Sequence, residues 1–81
     1  MTYSNTPINF QIEDCEEEIM LAEEGMKETR EMLYSFPNDS ELKDNLSYYQ
    51  EEHQYQLARY DALISVKLRF WKVIFQLPLL L

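Results

Sequence analysis

Apolar residues in the first half of the chain recur at alternating intervals of three and four residues. The series runs through Ile12, Cys15, Ile19, Ala22, Met26, Thr29, Leu33 and Phe36, of which only Thr29 is polar. This spacing places the side chains on one stripe of an α-helix, whereas a strand requires strict alternation of apolar and polar residues. The pattern predicts a first helix over about residues 9–36, with Asn9 as its N-cap.

A second apolar stripe follows Pro37, which ends the first helix because proline disfavours the α conformation of the preceding residue. The stripe runs through Leu42, Leu46, Tyr49, His53, Leu57, Tyr60, Leu63 or Ile64, and on towards Phe70 and Trp71. Asn38 and Glu41 have the spacing of a capping box. The pattern predicts a second helix over about residues 41–76, with Pro78 as its stop signal.

A connection as short as residues 37–40 makes consecutive helices antiparallel neighbours. The chain holds one glycine, and none of the Asn-Gly or Asp-Gly dipeptides that tight β-turns favour. The predicted fold is therefore a single all-α domain, an antiparallel two-helix hairpin like a coiled coil, followed by an apolar tail at residues 77–81. Alternation over Val66 to Phe70 leaves a short strand open as an alternative there.

The hairpin has too little core for its length. A chain of 81 residues buries only about 60% of its unfolded surface, and Cys15 is the only cysteine, so no internal disulfide can stabilise it. Tyr48, Tyr55 and Ala62 add a second row beside the stripe of the second helix. We therefore expect a second copy of the chain, as in a homodimer, or another protein to complete a larger bundle.

Acidic residues crowd the first predicted helix. They are Glu13, Asp14, Glu16, Glu17, Glu18, Glu23, Glu24, Glu28 and Glu31, and the whole chain has a net charge of −8. One interpretation is a solvated helix face that keeps the protein soluble. The other is a row of carboxylates that imitates nucleic-acid phosphates and binds a basic protein surface.

The basic residues concentrate at the other end of the sequence. From Ala62 onward there is no acidic residue and the charge is +3, whereas the preceding part carries −11. In an antiparallel hairpin we expect Lys67, Arg69 and Lys72 to come near Glu13–Glu18 and to neutralise part of that run. The segment is too short and too charged for a membrane span, which needs about 20 apolar residues, but membrane contact by the C-terminal tail is one alternative.

Catalytic and metal chemistry are not expected. His53 is the only histidine, and Gln50 stands where a Glu-x-x-His metal unit requires glutamate. Cys15 lies among carboxylates, which raise the pKa of a thiol and weaken it as a nucleophile. We therefore predict a non-enzymatic protein without metal or cofactor. The negative net charge also argues against direct nucleic-acid binding. Met1 to Phe10 lacks the basic start and apolar run of a signal peptide, which favours a cytoplasmic location.

The turn Phe36-Pro37-Asn38-Asp39 lies near the middle of the chain. A set of second-helix residues follows in a characteristic order: Tyr55, Leu57, Arg59, Val66 and Lys67. In both respects the chain resembles the small subunits and chaperones of type III secretion needles, which are hairpins of similar length. The acidic first helix departs from the needle pattern. The resemblance covers the two helices and implies a chaperone or structural subunit of a secretion-type assembly.

These observations favour a protein-interaction module. The first hypothesis is a small acidic inhibitor or modulator, of the type that phages and mobile elements encode, that binds a basic groove of a nucleic-acid-handling protein. The alternative is the helical chaperone or structural subunit, which lends an aromatic face to its partner. The predicted partner-binding residues are Glu23, Glu24, Glu28, Glu31, Tyr48 and Tyr55.

Overall fold

Two helices account for nearly all of the structure. The computed structural model describes the backbone of residues 7–80 and the side chains of residues 7–72. Helix α1 spans Ile8–Ser35 and helix α2 spans Ser40–Leu80. They pack against each other, and residues 7–80 contain no strand, so the predicted all-α hairpin is confirmed. The stretch of alternating residues 66–70 belongs to α2, which excludes the strand alternative.

The two helices are antiparallel with a defined register. Arg59 of α2 meets Asp14 near the start of α1, whereas Tyr49 lies against Gly25 in its second half. Residue numbers that face each other therefore sum to about 74, which places the start of α1 opposite residue 66. Helix α2 has 41 residues and α1 has 28, so residues 68–80 extend about 20 Å past the described start of α1. We call residues 68–80 the C-terminal extension.

The start of α1 differs from the prediction. The helix begins at Ile8, directly after Pro7, whose carbonyl oxygen accepts the amides of Phe10 and Gln11 at 3.0 and 3.2 Å. Asn9 is thus inside the helix, and no side chain caps this end. The predicted Asn9 cap is wrong because proline fits the position before a helix, where its missing N–H has no partner to lose.

Residues 36–39 connect the helices. Phe36 donates its amide to Met32 at 3.0 Å and closes α1, as Pro37 predicts. The cap of α2 is Asp39, whose Oδ1 accepts the Leu42 amide at 3.1 Å. The predicted Asn38 cap is wrong because α2 begins at Ser40, one residue before the expected position, and the cap moves with it.

At its other end α2 continues through Pro78 to Leu80, beyond the predicted end at Gln76. Proline has a φ of about −65°, which suits a helix, so Pro78 lies inside α2 although it lacks an amide hydrogen and its ring crowds the carbonyl four residues before it. The side chains of residues 73–80, and Leu81, lie outside the described residues, so the expected packing of the apolar tail 77–81 has no structural test.

The inward stripe of α1 follows the predicted seven-residue pattern. Its buried members are Ile12, Cys15, Ala22, Gly25, Met26 and Thr29. Ile19 and Leu33 are half-buried, but Phe36 lies past the end of the helix and is 63% exposed. Thr29 tolerates burial because its hydroxyl donates to the Gly25 carbonyl oxygen at 2.7 Å. The one polar member of the stripe is therefore satisfied within its own helix.

The stripe of α2 corrects one predicted residue. Gln56 is buried and Leu57 is 40% exposed, although the sequence pattern selected Leu57. Inward positions on α2 keep a strict alternation of four and three residues: Leu42, Leu46, Tyr49, His53, Gln56, Tyr60, Leu63 and Lys67. The helical repeat decides which side chain faces the partner helix, and a polar side chain at that position is buried if its hydrogen bonds are made.

Gly25 is where the two helices come into closest contact. A Cβ built on Gly25 would lie 2.5 Å from Cε1 of Tyr49, which is closer than two carbon atoms approach. The ring of Tyr49 thus occupies the space that any other residue at position 25 would need. Glycine in a helix interior costs about 1 kcal/mol relative to alanine. At position 25 this loss of helix propensity allows the ring of Tyr49 to pack against the backbone of α1.

Met26→Asp should destabilise the hairpin by about 3 kcal/mol or more, because it places an unpaired charge in the buried seam. Glu24→Lys on the exposed side of the same helix should leave stability unchanged or slightly raised, because it relieves repulsion among neighbouring carboxylates. Thermal unfolding followed by circular dichroism measures both. Equal melting temperatures for the Met26→Asp variant and the wild type would contradict the burial of Met26 between the helices.

Gly25→Ala should lower the stability by about 1–3 kcal/mol, since the added methyl group displaces the Tyr49 ring and over-packing costs that much. In a Tyr49→Leu background the same substitution should stabilise, by up to about 1 kcal/mol, because only the gain in helix propensity remains. Denaturant unfolding of the four proteins of this double-mutant cycle tests the reversal of sign. A stabilising effect in both backgrounds would show that the ring does not depend on Gly25.

Candidate partner-binding surface

Three of the four predicted glutamates form a row on α1. Glu24, Glu28 and Glu31 are exposed, and within the described part of the chain none of them forms an ion pair. Their spacing of four and three residues keeps them on neighbouring turns of the helix surface. We call Glu24, Glu28 and Glu31 the acidic ridge. Glu23 is separate: its Oε2 lies 3.4 Å from Nε2 of His53, at one flank of the seam.

The expected neutralisation of the acidic run does not occur. The register places Lys67 opposite the start of α1, and Arg69 and Lys72 beyond it. Within residues 7–72, none of these three bases pairs with Glu13–Glu18. The base that reaches the run is Arg59, whose Nη1 lies 3.1 Å from Oδ2 of Asp14. The prediction placed the wrong bases there because it did not fix the register, which puts Lys67 opposite about residue 7, six residues before Glu13.

The two predicted tyrosines lie on the flank opposite Glu23. Tyr48 and Tyr55 are 61% and 63% exposed, and the ring of Tyr48 meets that of Tyr49 edge-on, with centroids 5.5 Å apart. Each borders an open depression between the helices. The one at Tyr48 has a volume of about 110 Å³ and is lined by Glu18, Leu21, Ala22, Tyr48, Tyr49 and Glu52. The one at Tyr55 has about 340 Å³ and is lined by Gln11, Asp14, Glu18, Tyr55, Gln56 and Arg59.

Glu18 borders both depressions, so they form one continuous surface. We call Tyr48, Tyr55 and Leu21 the aromatic face. Leu21 and Glu28 are seven residues apart on α1 and therefore lie along one line of the helix. Glu28 thus continues the line of Leu21 towards the turn, whereas Glu24 and Glu31 lie farther round α1, on the side away from α2. The six predicted residues therefore occupy three places: Tyr48 and Tyr55 on one flank of the hairpin, Glu23 on the other, and the acidic ridge on the outer side of α1.

A hydrogen-bonded network holds the floor of the larger depression. The buried Gln56 donates from Nε2 to Oε1 of Glu52 at 3.0 Å and accepts from Nη1 of Arg59 at 3.3 Å. Arg59 also donates to Asp14 at 3.1 Å and so ties α2 to α1. No buried side-chain nitrogen or oxygen within residues 7–72 lacks a partner. The network therefore fixes the depression without leaving a polar group unsatisfied.

The sequence did not single out Glu18, Gln56 or Arg59 as part of a surface. A signal for two of them was present in α2. Strict seven-residue spacing from Tyr49 leads to Gln56, and Arg59 follows three residues later on the same side of the helix. Apolar preference alone selected the neighbouring Leu57. A buried amide partnered by an arginine satisfies the same inward position as a leucine would.

Cys15 and His53 lie apart. Cys15 is fully buried, and burial raises the pKa of its thiol; Asp14 and Glu16 raise it further, whereas Arg59 opposes them. The carboxylates thus act as the sequence predicted, but burial is the larger cause. His53 contacts Glu23, which is eight residues from Cys15 on α1, or about 12 Å along the helix. The two side chains therefore do not form a nucleophile and base pair.

Within residues 7–72, no group of three or more histidine, cysteine, aspartate or glutamate side chains is placed to hold a metal ion. Neither helix, over the same residues, has a stretch long and apolar enough to cross a membrane.

Comparisons with protein-family models, with curated proteins and with solved structures found no match for this chain. The resemblance to secretion needles therefore rests on the turn and on the second-helix residues alone. The surface geometry of the hairpin is the basis for its proposed function.

Proposed function

We propose that the protein is a non-catalytic interaction module that binds a basic groove of a nucleic-acid-handling protein, as a small inhibitor or modulator of phage or mobile-element type. One observation carries the proposal. The acidic ridge is exposed, and none of its three carboxylates forms an ion pair within residues 7–72. Its field is therefore available to a partner.

The charge density of α1 supports this proposal. The helix holds nine acidic and two basic residues in 28 positions. At 1.5 Å per residue this is one carboxylate for about every 5 Å of helix, compared with one phosphate per 3.4 Å for each strand of DNA. A basic groove that binds the backbone of a nucleic acid offers the complementary charge. Electrostatic matching of this kind mainly speeds association and selects the partner.

The aromatic face supplies apolar contact area, which the charges of the acidic ridge do not provide. Tyr48 and Tyr55 present large, partly apolar rings on one flank of the hairpin, on a scaffold fixed by the Gln56–Arg59 network. Tyrosine is among the residues that contribute most to binding energy at protein interfaces, because it buries a large area at a low cost in conformational entropy. In this proposal the ridge steers the partner and the tyrosines anchor it.

A second function, a helical chaperone or structural subunit, is favoured by the depressions themselves. They lie between exposed tyrosines and are open along their length. An amphipathic helix of another protein binds such grooves through side chains on one face. In this function the aromatic face is the main contact and the acidic ridge serves solubility.

We also propose that two or more hairpins, packed as in a coiled coil, form a larger bundle. The accessible surface of the chain is 6703 Å², whereas a compact monomer of 9.8 kDa exposes about 5,200 Å². Within residues 7–72 the buried apolar core consists of Ile12, Cys15, Ala22 and Met26. Burial of the aromatic face against a second copy would add the core that the hairpin lacks.

Reversal of the ridge should separate the two functions. The triple variant Glu24→Lys, Glu28→Lys, Glu31→Lys should abolish binding to a partner captured from the native host and leave the circular dichroism spectrum unchanged. The control variant Asp44→Lys, Glu51→Lys, Asp61→Lys makes the same charge change at exposed positions of α2 and should retain binding. Binding of the wild type should also weaken steeply as salt rises and should be competed by duplex DNA.

The alternative result is equally specific. Binding that survives the triple reversal and resists salt, but is lost in the Tyr48→Ala, Tyr55→Ala double variant, would contradict nucleic-acid mimicry. It would establish the aromatic face as the functional surface and support the chaperone function. Loss of binding in the α2 control as well would show that only net charge matters.

Sedimentation equilibrium tests the larger bundle. The isolated chain should sediment as a dimer or larger at micromolar concentration, and Tyr48→Ala with Tyr55→Ala should shift it towards the monomer, since these rings are uncovered in one hairpin. A monomer with sharp, concentration-independent unfolding would refute self-association.

A further inference from the structure

The C-terminal extension carries an apolar surface that α1 does not cover. Exposed fractions are 57% for Leu68 and 64% for Phe70, and Trp71 is half-exposed. Phe70 lies seven residues after Leu63, so the inward stripe of α2 continues past the described start of α1. Large exposed apolar side chains next to one another are uncommon on a monomer and mark a binding surface.

Basic residues are interleaved with these apolar side chains. Arg69 and Lys72 are exposed and Lys67 is half-buried. Ser65, Arg69 and Lys72 follow a spacing of four and three residues, so they form one polar stripe along the helix. Leu68, Phe70 and Trp71 lie outside that stripe. A helix with a basic stripe, phenylalanine, tryptophan and leucine has the composition of segments that lie in the headgroup region of a bilayer.

The structure assigns to the C-terminal extension a binding site for an anionic lipid surface, on which the helix lies with Leu68, Phe70 and Trp71 among the acyl chains and Arg69 and Lys72 at the headgroups. Lys67 lies on the side of Phe70 and reaches the headgroups with its long side chain. This site goes beyond the proposed function and does not rest on it, since it uses neither the acidic ridge nor the aromatic face.

The acidic helix does not prevent this contact, because the register separates the two charges. Glu13 is the first acidic residue of the chain and faces about residue 61 of α2. Lys72 is 11 residues farther along α2, or about 16 Å. Lys67 and Arg69 are six and eight residues farther, or about 9 and 12 Å. All three separations exceed the Debye length of about 8 Å at physiological salt, with Lys72 the base most fully screened from the carboxylates of α1.

A second copy of the chain is the competing occupant, and charge disfavours it. Two extensions side by side would bring together two segments that each carry +3 from residue 62 onward, with no acidic residue between them. An anionic bilayer offers both the opposite charge and an apolar interior to the same helix.

The test uses the whole chain and vesicles of phosphatidylcholine with and without phosphatidylglycerol. Trp71 is the only tryptophan, so its emission reports on the extension without any substitution. The emission should shift to the blue with the anionic vesicles, and the chain should co-sediment with them. Lys67→Gln, Arg69→Gln, Lys72→Gln should weaken partitioning by about fivefold for each charge, or roughly a hundredfold in all.

Two matched controls separate this site from general charge and apolarity. Lys27→Gln, Arg30→Gln, Lys43→Gln removes three exposed bases elsewhere and should retain binding. Leu68→Ser with Phe70→Ser should reduce binding at least about tenfold, whereas Met32→Ser with Tyr34→Ser near the turn should not.

An unshifted Trp71 emission together with no co-sedimentation would overturn the site. Equal binding to neutral vesicles would also overturn it, because the bases would then have no role. The site would be overturned as well if light scattering showed the wild type to be a dimer and the Leu68→Ser, Phe70→Ser variant to be a monomer, while vesicles bound neither protein. In that case a second copy occupies the surface.

Discussion

The register between α1 and α2 is the constraint on which the rest of the structure depends. Gly25 sets it, because the ring of Tyr49 fits against the backbone only where a side chain is missing. The Asp14–Arg59 ion pair holds the same alignment near the open end of the hairpin. With both contacts in place, the difference in helix length appears entirely beyond the start of α1. The ridge, the aromatic face and the C-terminal extension are consequences of that alignment.

The register also explains how the charges are distributed in space. The sequence separates an acidic half from a basic end, and a simple hairpin would bring them together. The longer α2 instead carries its last base, Lys72, about 16 Å along the axis from the level of Glu13. Two regions of opposite charge therefore persist on one molecule, separated by more than the screening length.

Two buried polar groups of the seam are satisfied by bonds within their own helices. Thr29 and Gln56 occupy positions where a hydrophobic residue would pack more strongly, yet each has its hydrogen bonds satisfied. Gln56 bonds to Glu52 and Arg59 on its own helix, and Arg59 pairs with Asp14 of α1, so a shift of register would break this ion pair and leave the bonds of the buried amide in place. Loss of the ion pair disfavours alternative alignments of the two helices. Core size contributes little to that choice because few apolar side chains are buried.

The sequence by itself determined the two helices, the turn at Pro37 and the seam of α1, because helical periodicity and proline chemistry are local properties. It also placed Glu24, Glu28 and Glu31 in one row on α1, because that row follows from helical spacing alone. Only the tertiary structure decided that Gln56 faces inward rather than Leu57, that Glu23 turns to His53, and that the terminal bases pass the acidic run. These facts depend on how far one helix reaches along the other. That alignment is set by contacts between residues distant in the sequence, such as Gly25 with Tyr49, which no local pattern contains.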